Sequence, residues 1–331
     1  MTPLISPFIP LFITVFIITW MVIPFWITRA KNAGLAGKDI HKKDLPVVAE
    51  MGGVTVLLGF IIGIMGYVAL RVFIFHANSN ITSILAILSA VLLAGIIGII
   101  DDILGWKIGL RQWQKPVLTL LVAAPVMAVN AGIRIMSIPL LGKMDLGILY
   151  PLLVIPAFIL MGTNGFNMLA GYNGLETGQG IIILSALAYF SYATGSSWLT
   201  IVALCMIVAL LGFWLYNKYP ATVFPGDTLT YTVGALAATM AIFANIEKIF
   251  LILFIPYIIE FFLKLRGLFQ KESFALLKDD GTLVPRYDTI YGLENLMVKI
   301  MNTLHIKTTE RKVVYGLHSL QVTCVLLAFL L

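Results

Sequence analysis

Apolar runs of roughly 18 or more residues recur from one end of this chain to the other, and a helix of that length crosses a hydrocarbon layer of about 30 Å. Only 11% of the 331 residues are charged and 60% are apolar, with a mean hydropathy of +0.99. A water-soluble domain of this size needs far more charge to wet its surface. The expected fold class is an all-α integral membrane protein, about ten transmembrane helices in a single polytopic domain over 1–331.

The spans are expected near 4–27, 52–75, 81–100, 116–133, 146–163, 180–196, 198–216, 229–245, 248–266 and 312–330. The first, Leu4 to Ile27, lacks a positively charged start and a small-residue cleavage pattern, so it is expected to be retained as a helix. Loops following the odd-numbered spans, with the adjoining helix ends, carry every lysine and arginine except Arg71, Arg134, Lys143 and Lys248. Basic loops stay in the cytoplasm. Both termini are therefore expected outside, and the loops after the odd-numbered spans cytoplasmic. The net charge of +6 is in part this topology signal. Without aromatic–basic interleaving it gives no reason to expect nucleic acid, although a basic inner surface attracts phosphates. Cys205 and Cys324 lie far apart within apolar runs, which argues against a disulfide framework or a zinc site.

One long loop, 267–311, is expected on the cytoplasmic side. Within it Leu293, Leu296, Met297, Ile300, Met301 and Leu304 recur at helical spacing. That pattern fits an interfacial helix lying on the membrane, or equally an amphipathic helix packed on the loop itself.

Three polar constellations stand out against this apolar background. Asp101 and Asp102 close the third span, and Trp106, Lys107, Arg111 and Lys115 follow within one short loop. Adjacent carboxylates beside an apolar wall need a cation, a metal or water; the bland reading is a helix end facing the cytoplasm. The second runs from Gly162 to Gly180 and holds Asn164, Asn167, Asn173, Glu176 and Gln179 among glycines. Amides both donate and accept without charge, which suits a nucleobase or a metal-bound phosphate, though a plain polar loop has some of the same features. The third is Phe224-Pro-Gly-Asp-Thr228, where Asp227 alone would read as a helix cap. All three lie on the same expected face, and together they could hold a Mg²⁺ that keeps most of its water.

These segments resemble the polyprenyl-phosphate N-acetylhexosamine-1-phosphate transferase superfamily, most of all its dolichyl-phosphate branch. The likeness rests on Asp101-Asp102, Met144-Asp-Leu-Gly-Ile-Leu-Tyr150, Thr163-Asn with Asn167-Met-Leu-Ala-Gly-Tyr-Asn-Gly-Leu-Glu176, and Val223-Phe-Pro-Gly-Asp-Thr228. It implies transfer of N-acetylglucosamine-1-phosphate, or a similar sugar phosphate, from a UDP-N-acetylhexosamine to dolichyl or polyprenyl phosphate. UMP is released, as the first lipid-linked step of glycan assembly. It implies Asn167 and Asp227 as ligands of Mg²⁺, with Mn²⁺ as a substitute. Asp101, Asp102 and Lys115 correspond to the catalytic positions. Glu50, the Gly171 backbone, Asn173 and Phe224 correspond to nucleotide contacts. Relatives carry a histidine- or arginine-rich motif in the long loop; here that loop offers Arg286 and no histidine before His305.

The compact long loop looks archaeal, which implies the cell membrane; a eukaryotic chain of this kind belongs in the endoplasmic reticulum membrane. The lipid bilayer is the expected surrounding, and a homodimer is compatible with these features. Rival readings are a bacterial-type transferase for cell-wall or O-antigen lipids, and a transporter. A transporter binds cargo near the bilayer midplane, whereas these polar groups cluster at helix ends on one side.

Overall fold

The computed structural model describes residues 5–138 and 142–330, except for the side chains of 106–108, 136–138 and 142–143, so those of Trp106, Lys107 and Lys143 lie outside the description. The helices are α1 (Ile9–Asn32), α2 (Gly53–Ala69), α3 (Ile81–Ile108), α4 (Gln114–Ala128), α5 (Ile155–Leu160), α6 (Phe166–Met168) and α7 (Leu175–Ala193). They continue with α8 (Ser197–Asn217), α9 (Gly226–Ala244), α10 (Glu247–Leu253), α11 (Ile255–Arg266), α12 (Leu293–Thr303) and α13 (Glu310–Phe329). Three short antiparallel hairpins accompany them: β1 (Ala36–Lys38) with β2 (Val47–Ala49), β3 (Ile135–Ile138) with β4 (Gly142–Asp145), and β5 (Leu276–Leu277) with β6 (Leu283–Val284).

Among the described residues seven helical segments are long and apolar enough to cross a membrane: 6–32, 53–74, 81–105, 150–168, 197–217, 226–244 and 310–329. The other three expected spans are helical but differ in form. Helix α4 is a shorter apolar helix with Pro125 near its end. Helix α7 begins at Leu175, five residues before the expected start at 180, because Gly174 takes a left-handed φ of 80° and launches the helix directly from the asparagine-rich loop. The expected span 248–266 divides at Phe254 into α10 and α11. Pro256 has no N–H to continue the ladder across that point, and Gln321 of α13 donates from Nε2 to the Leu253 carbonyl at 2.9 Å.

Helix α9 is the axis of the bundle: 89% of its apolar window is buried, against 28% for the segment 6–32 at the periphery. Its main partner is α3. Their closest approach needs Gly98, where an added Cβ would lie 2.6 Å from the Thr228 backbone. This contact brings the C-terminal end of α3 against the first turn of α9. The helix expected at 292–306 is α12; it buries Leu293 and Val298 and packs Met297 and Met301 against Gly316 of α13.

Candidate active site

Asp101 and Asp102 lie inside α3 rather than at its end, since the backbone stays helical until Gly105, at φ 67° and ψ 175°. Their roles divide at once. The Asp102 carboxylate reaches α9 and accepts three hydrogen bonds there, from the Asp227 N–H at 2.8 Å, the Thr228 N–H at 3.0 Å and the Thr228 hydroxyl at 2.7 Å. It caps the start of α9 from another helix, satisfying amides that no carbonyl precedes. Gly226 permits this, with φ 71° and a missing Cβ that would stand 2.6 Å from Asp102 Oδ2. Asp227 could be read from sequence as the capping residue; here its own N–H is capped instead, and its carboxylate is left free to face the site.

Asp101 accepts the Leu110 N–H at 2.8 Å through Oδ1 and pairs with Lys115 through Oδ2 at 2.5 Å. The Lys115 ammonium also lies 3.0 Å from Asp227 Oδ2. Lys115 sits in the first turn of α4, where the helix dipole disfavours a cation, so the two carboxylates supply what the helix does not. Asn167 of α6 donates from Nδ2 to the same Asp227 oxygen at 3.2 Å. Its Oδ1 accepts from the Thr230 hydroxyl at 3.0 Å, and that hydroxyl also contacts the Asp227 carbonyl. Asn164 donates to the Thr119 hydroxyl at 2.8 Å, fastening the asparagine-rich segment to α4. Residues from four parts of the chain thus form one linked cluster, and the lysine and Asp227 remain about a quarter exposed, at 27% and 25%.

The nucleotide-side candidates lie on the 49–53, 171–173 and 223–225 segments. Gly52 N–H donates to the Phe224 carbonyl at 2.8 Å and Phe224 N–H to the Ala49 carbonyl at 2.7 Å, so the 49–53 and 223–225 segments run side by side. Glu50 lies between them and β1, its Oε1 filling the space over Gly37. Burial, and then the nearby Asp102, push its carboxyl above the usual range. The Gly171 N–H is held by Glu176 Oε1 at 2.7 Å. Asn173 is buried and committed within the protein: Nδ2 donates to Asp39, and Oδ1 accepts the Ala221 N–H at 2.6 Å. Arg286 pairs with Glu272 inside the long loop; among the described residues no hydrogen bond or ion pair joins it to Lys115, Asp101 or Asp227.

Two features escaped the sequence. Thr230 gives no motif signal, yet it orients Asn167. The second is a buried knot beside Asn173: Lys42 pairs with Asp39 at 3.1 Å and with Glu310, while Glu310 Oε1 accepts the Asn173 N–H at 2.8 Å. His41 stacks on Tyr172, with ring centroids 4.5 Å apart. Asp39, His41 and Glu310 could place ligand atoms within 4.8 Å of one another around a metal. Lys42 already supplies a cation to both carboxylates there, and the three side chains are almost closed to water.

The chain matches the family described as glycosyl transferase family 4 over residues 84–245. It is 37% identical over 270 residues to a putative UDP-N-acetylglucosamine–dolichyl-phosphate N-acetylglucosaminephosphotransferase of Saccharolobus solfataricus, covering 81% of each chain. The Dictyostelium discoideum UDP-N-acetylglucosamine–dolichyl-phosphate N-acetylglucosaminephosphotransferase is 27% identical over 76% of this chain and 70% of its own. A phospho-N-acetylmuramoyl-pentapeptide-transferase of Streptococcus thermophilus is 28% identical over 75% of both.

Proposed function

The chain belongs to glycosyl transferase family 4, and from that premise we infer that it transfers N-acetylglucosamine-1-phosphate from UDP-N-acetylglucosamine to dolichyl or a related polyprenyl phosphate, releasing UMP. The observation that carries this reading is the meeting of Asp101, Lys115, Asn167 and Asp227 around one partly open position at the end of α3 and the start of α9. The named substrates of the Saccharolobus and Dictyostelium relatives support the choice of sugar and lipid.

The acceptor is a phosphate monoester with a second pKa of about 6, so it arrives largely ionised and needs little help from a base. The chemical demand is to bring two anions together, which falls to positive charge and positioning. Asp227 and Asn167 offer the hard oxygen donors that Mg²⁺ prefers, and the Lys115 ammonium beside Asp227 supports reading this as a pocket for a cation. Mg²⁺, or Mn²⁺ in its place, supplies charge to the pyrophosphate when bound. Lys115 steadies the phosphates, Asp101 holds Lys115, and Asp102 fixes the start of α9 so that Asp227 keeps its aim. Phe224, Glu50 and the Gly171 backbone are assigned to the nucleotide, with the buried Asn173 behind them holding the 221 segment in place, and Arg286 lies in the loop assigned to the sugar. We assign this face to the cytoplasm and the protein to a cell membrane, in keeping with its archaeal relative. We assign the exposed Ile300 of α12 and Leu304 just after it to contact with the membrane surface.

The test is radiolabel transfer by the purified chain from UDP-N-acetylglucosamine, UDP-N-acetylgalactosamine and UDP-N-acetylmuramoyl-pentapeptide to short polyprenyl phosphates, with Mg²⁺ or with chelator. Mg²⁺-dependent transfer from UDP-N-acetylglucosamine is expected; preference for the pentapeptide donor would sink the assignment.

A further inference from the structure

We propose that Lys115 is a built-in counter-cation that holds the divalent-ion position closed until a pyrophosphate arrives, making nucleotide and metal binding mutually dependent. The inference rests on the reading of Asp227 and Asn167 as metal ligands and adds an order to their use.

The geometry leads there in three steps. First, the Lys115 ammonium is shared, 2.5 Å from Asp101 Oδ2 and 3.0 Å from Asp227 Oδ2. Two carboxylates facing one another across a half-buried pocket need such a charge between them. Second, the oxygen that Lys115 and Asn167 both contact is Asp227 Oδ2. A divalent ion seated on Asp227 would therefore stand directly beside the ammonium and be repelled by it, in a pocket where water screens poorly. Third, Asn167 turns its amide nitrogen, not its oxygen, toward Asp227. That orientation serves a carboxylate already neutralised by lysine. A metal needs the amide oxygen there, and Thr230, whose hydroxyl can either donate or accept, lets the amide turn without losing its partner.

A pyrophosphate removes the conflict, because it gives Lys115 a new anionic partner and frees Asp227. Each ligand then raises the other's affinity by the same factor, as linkage requires. The device also keeps the site from trapping free divalent ions before a donor sugar nucleotide is present.

The experiment is Mn²⁺ binding to the full-length chain purified in detergent, read by electron paramagnetic resonance with and without UDP, so that no turnover intervenes. The wild type is expected to bind Mn²⁺ roughly tenfold or more tightly with UDP than without it. Lys115→Met is expected to bind Mn²⁺ tightly without UDP and to gain little when it is added. Lys115→Arg, which keeps the charge, should retain the wild-type dependence and controls for loss of folding. The proposal is overturned if Lys115→Met binds Mn²⁺ as weakly as the wild type in the absence of UDP, or if Lys115→Arg loses the dependence. Asp227→Asn separates the two layers: it should remove bound Mn²⁺ under both conditions. Unchanged binding by that variant would discard the metal site itself.

Discussion

Two lysines in this protein stand between two acidic side chains, and they have opposite characters. Lys42, in the loop between β1 and β2, is 13% exposed, and its partners Asp39 and Glu310 are 3% exposed each. Its two carboxylates are well engaged: Asn173 donates to both, and Asp39 also accepts the His41 backbone N–H, while the buried His41 Nε2 has no hydrogen-bond partner among the described residues. Lys115 and Asp227 are exposed by about a quarter, and the amide beside them has a partner that tolerates either orientation. The same charge pattern is a clasp where it is sealed and an exchangeable site where it is open. Breaking a sealed pair leaves an uncompensated buried charge.

The sharpest way to break this contrast is to alter one member of each cluster. Asp227→Asn is expected to lower kcat by about 10³-fold while the thermal unfolding midpoint moves little, measured as UMP release and by a melting curve in detergent. Lys42→Met should do the reverse. Losing one partner of a buried pair costs about 3–5 kcal/mol of stability, seen as a lower midpoint, with turnover per folded molecule retained. If Lys42→Met abolished turnover without lowering the midpoint, the clasp would have to be redrawn as part of the site. Thr230→Val sharpens the open side: losing the hydroxyl that orients Asn167 should weaken metal-dependent activity about tenfold, with the fold intact.

The gentlest test is pH. Burial depresses His41 from its ordinary 6.5 to about 4, with Asp39 opposing. The unfolded chain therefore binds a proton that the folded one refuses between those values. Stability is present above pH 6.5 and is expected to be lost as pH falls toward 4. His41→Phe keeps the ring against Tyr172 and should flatten that slope in melting curves; an unchanged slope would assign it to other groups.

Much of this protein is legible along the chain because its solvent is the bilayer. Hydropathy alone marks the segments 53–74, 81–105, 197–217 and 226–244, since a run of apolar residues has few other ways to exist. The asparagine-rich segment and Phe224-Pro-Gly-Asp227 likewise stand out, because so many polar side chains together are unusual in an apolar chain. What stays hidden is local in cause but distant in partner. The division of the ninth expected span follows from Pro256, yet its repair by Gln321 joins residues 68 apart in sequence.

By itself the sequence decided that this chain is a helical membrane protein and which polar residues lie at helix ends, because both follow from side-chain transfer between water and lipid, one segment at a time. Tertiary structure alone decided that Asp102 caps while Asp101 pairs, that Lys115 stands on Asp227, and that Lys42 closes on Glu310. Those outcomes depend on which helix faces which, at separations of a few ångströms, and no short stretch of chain contains both members of the pair.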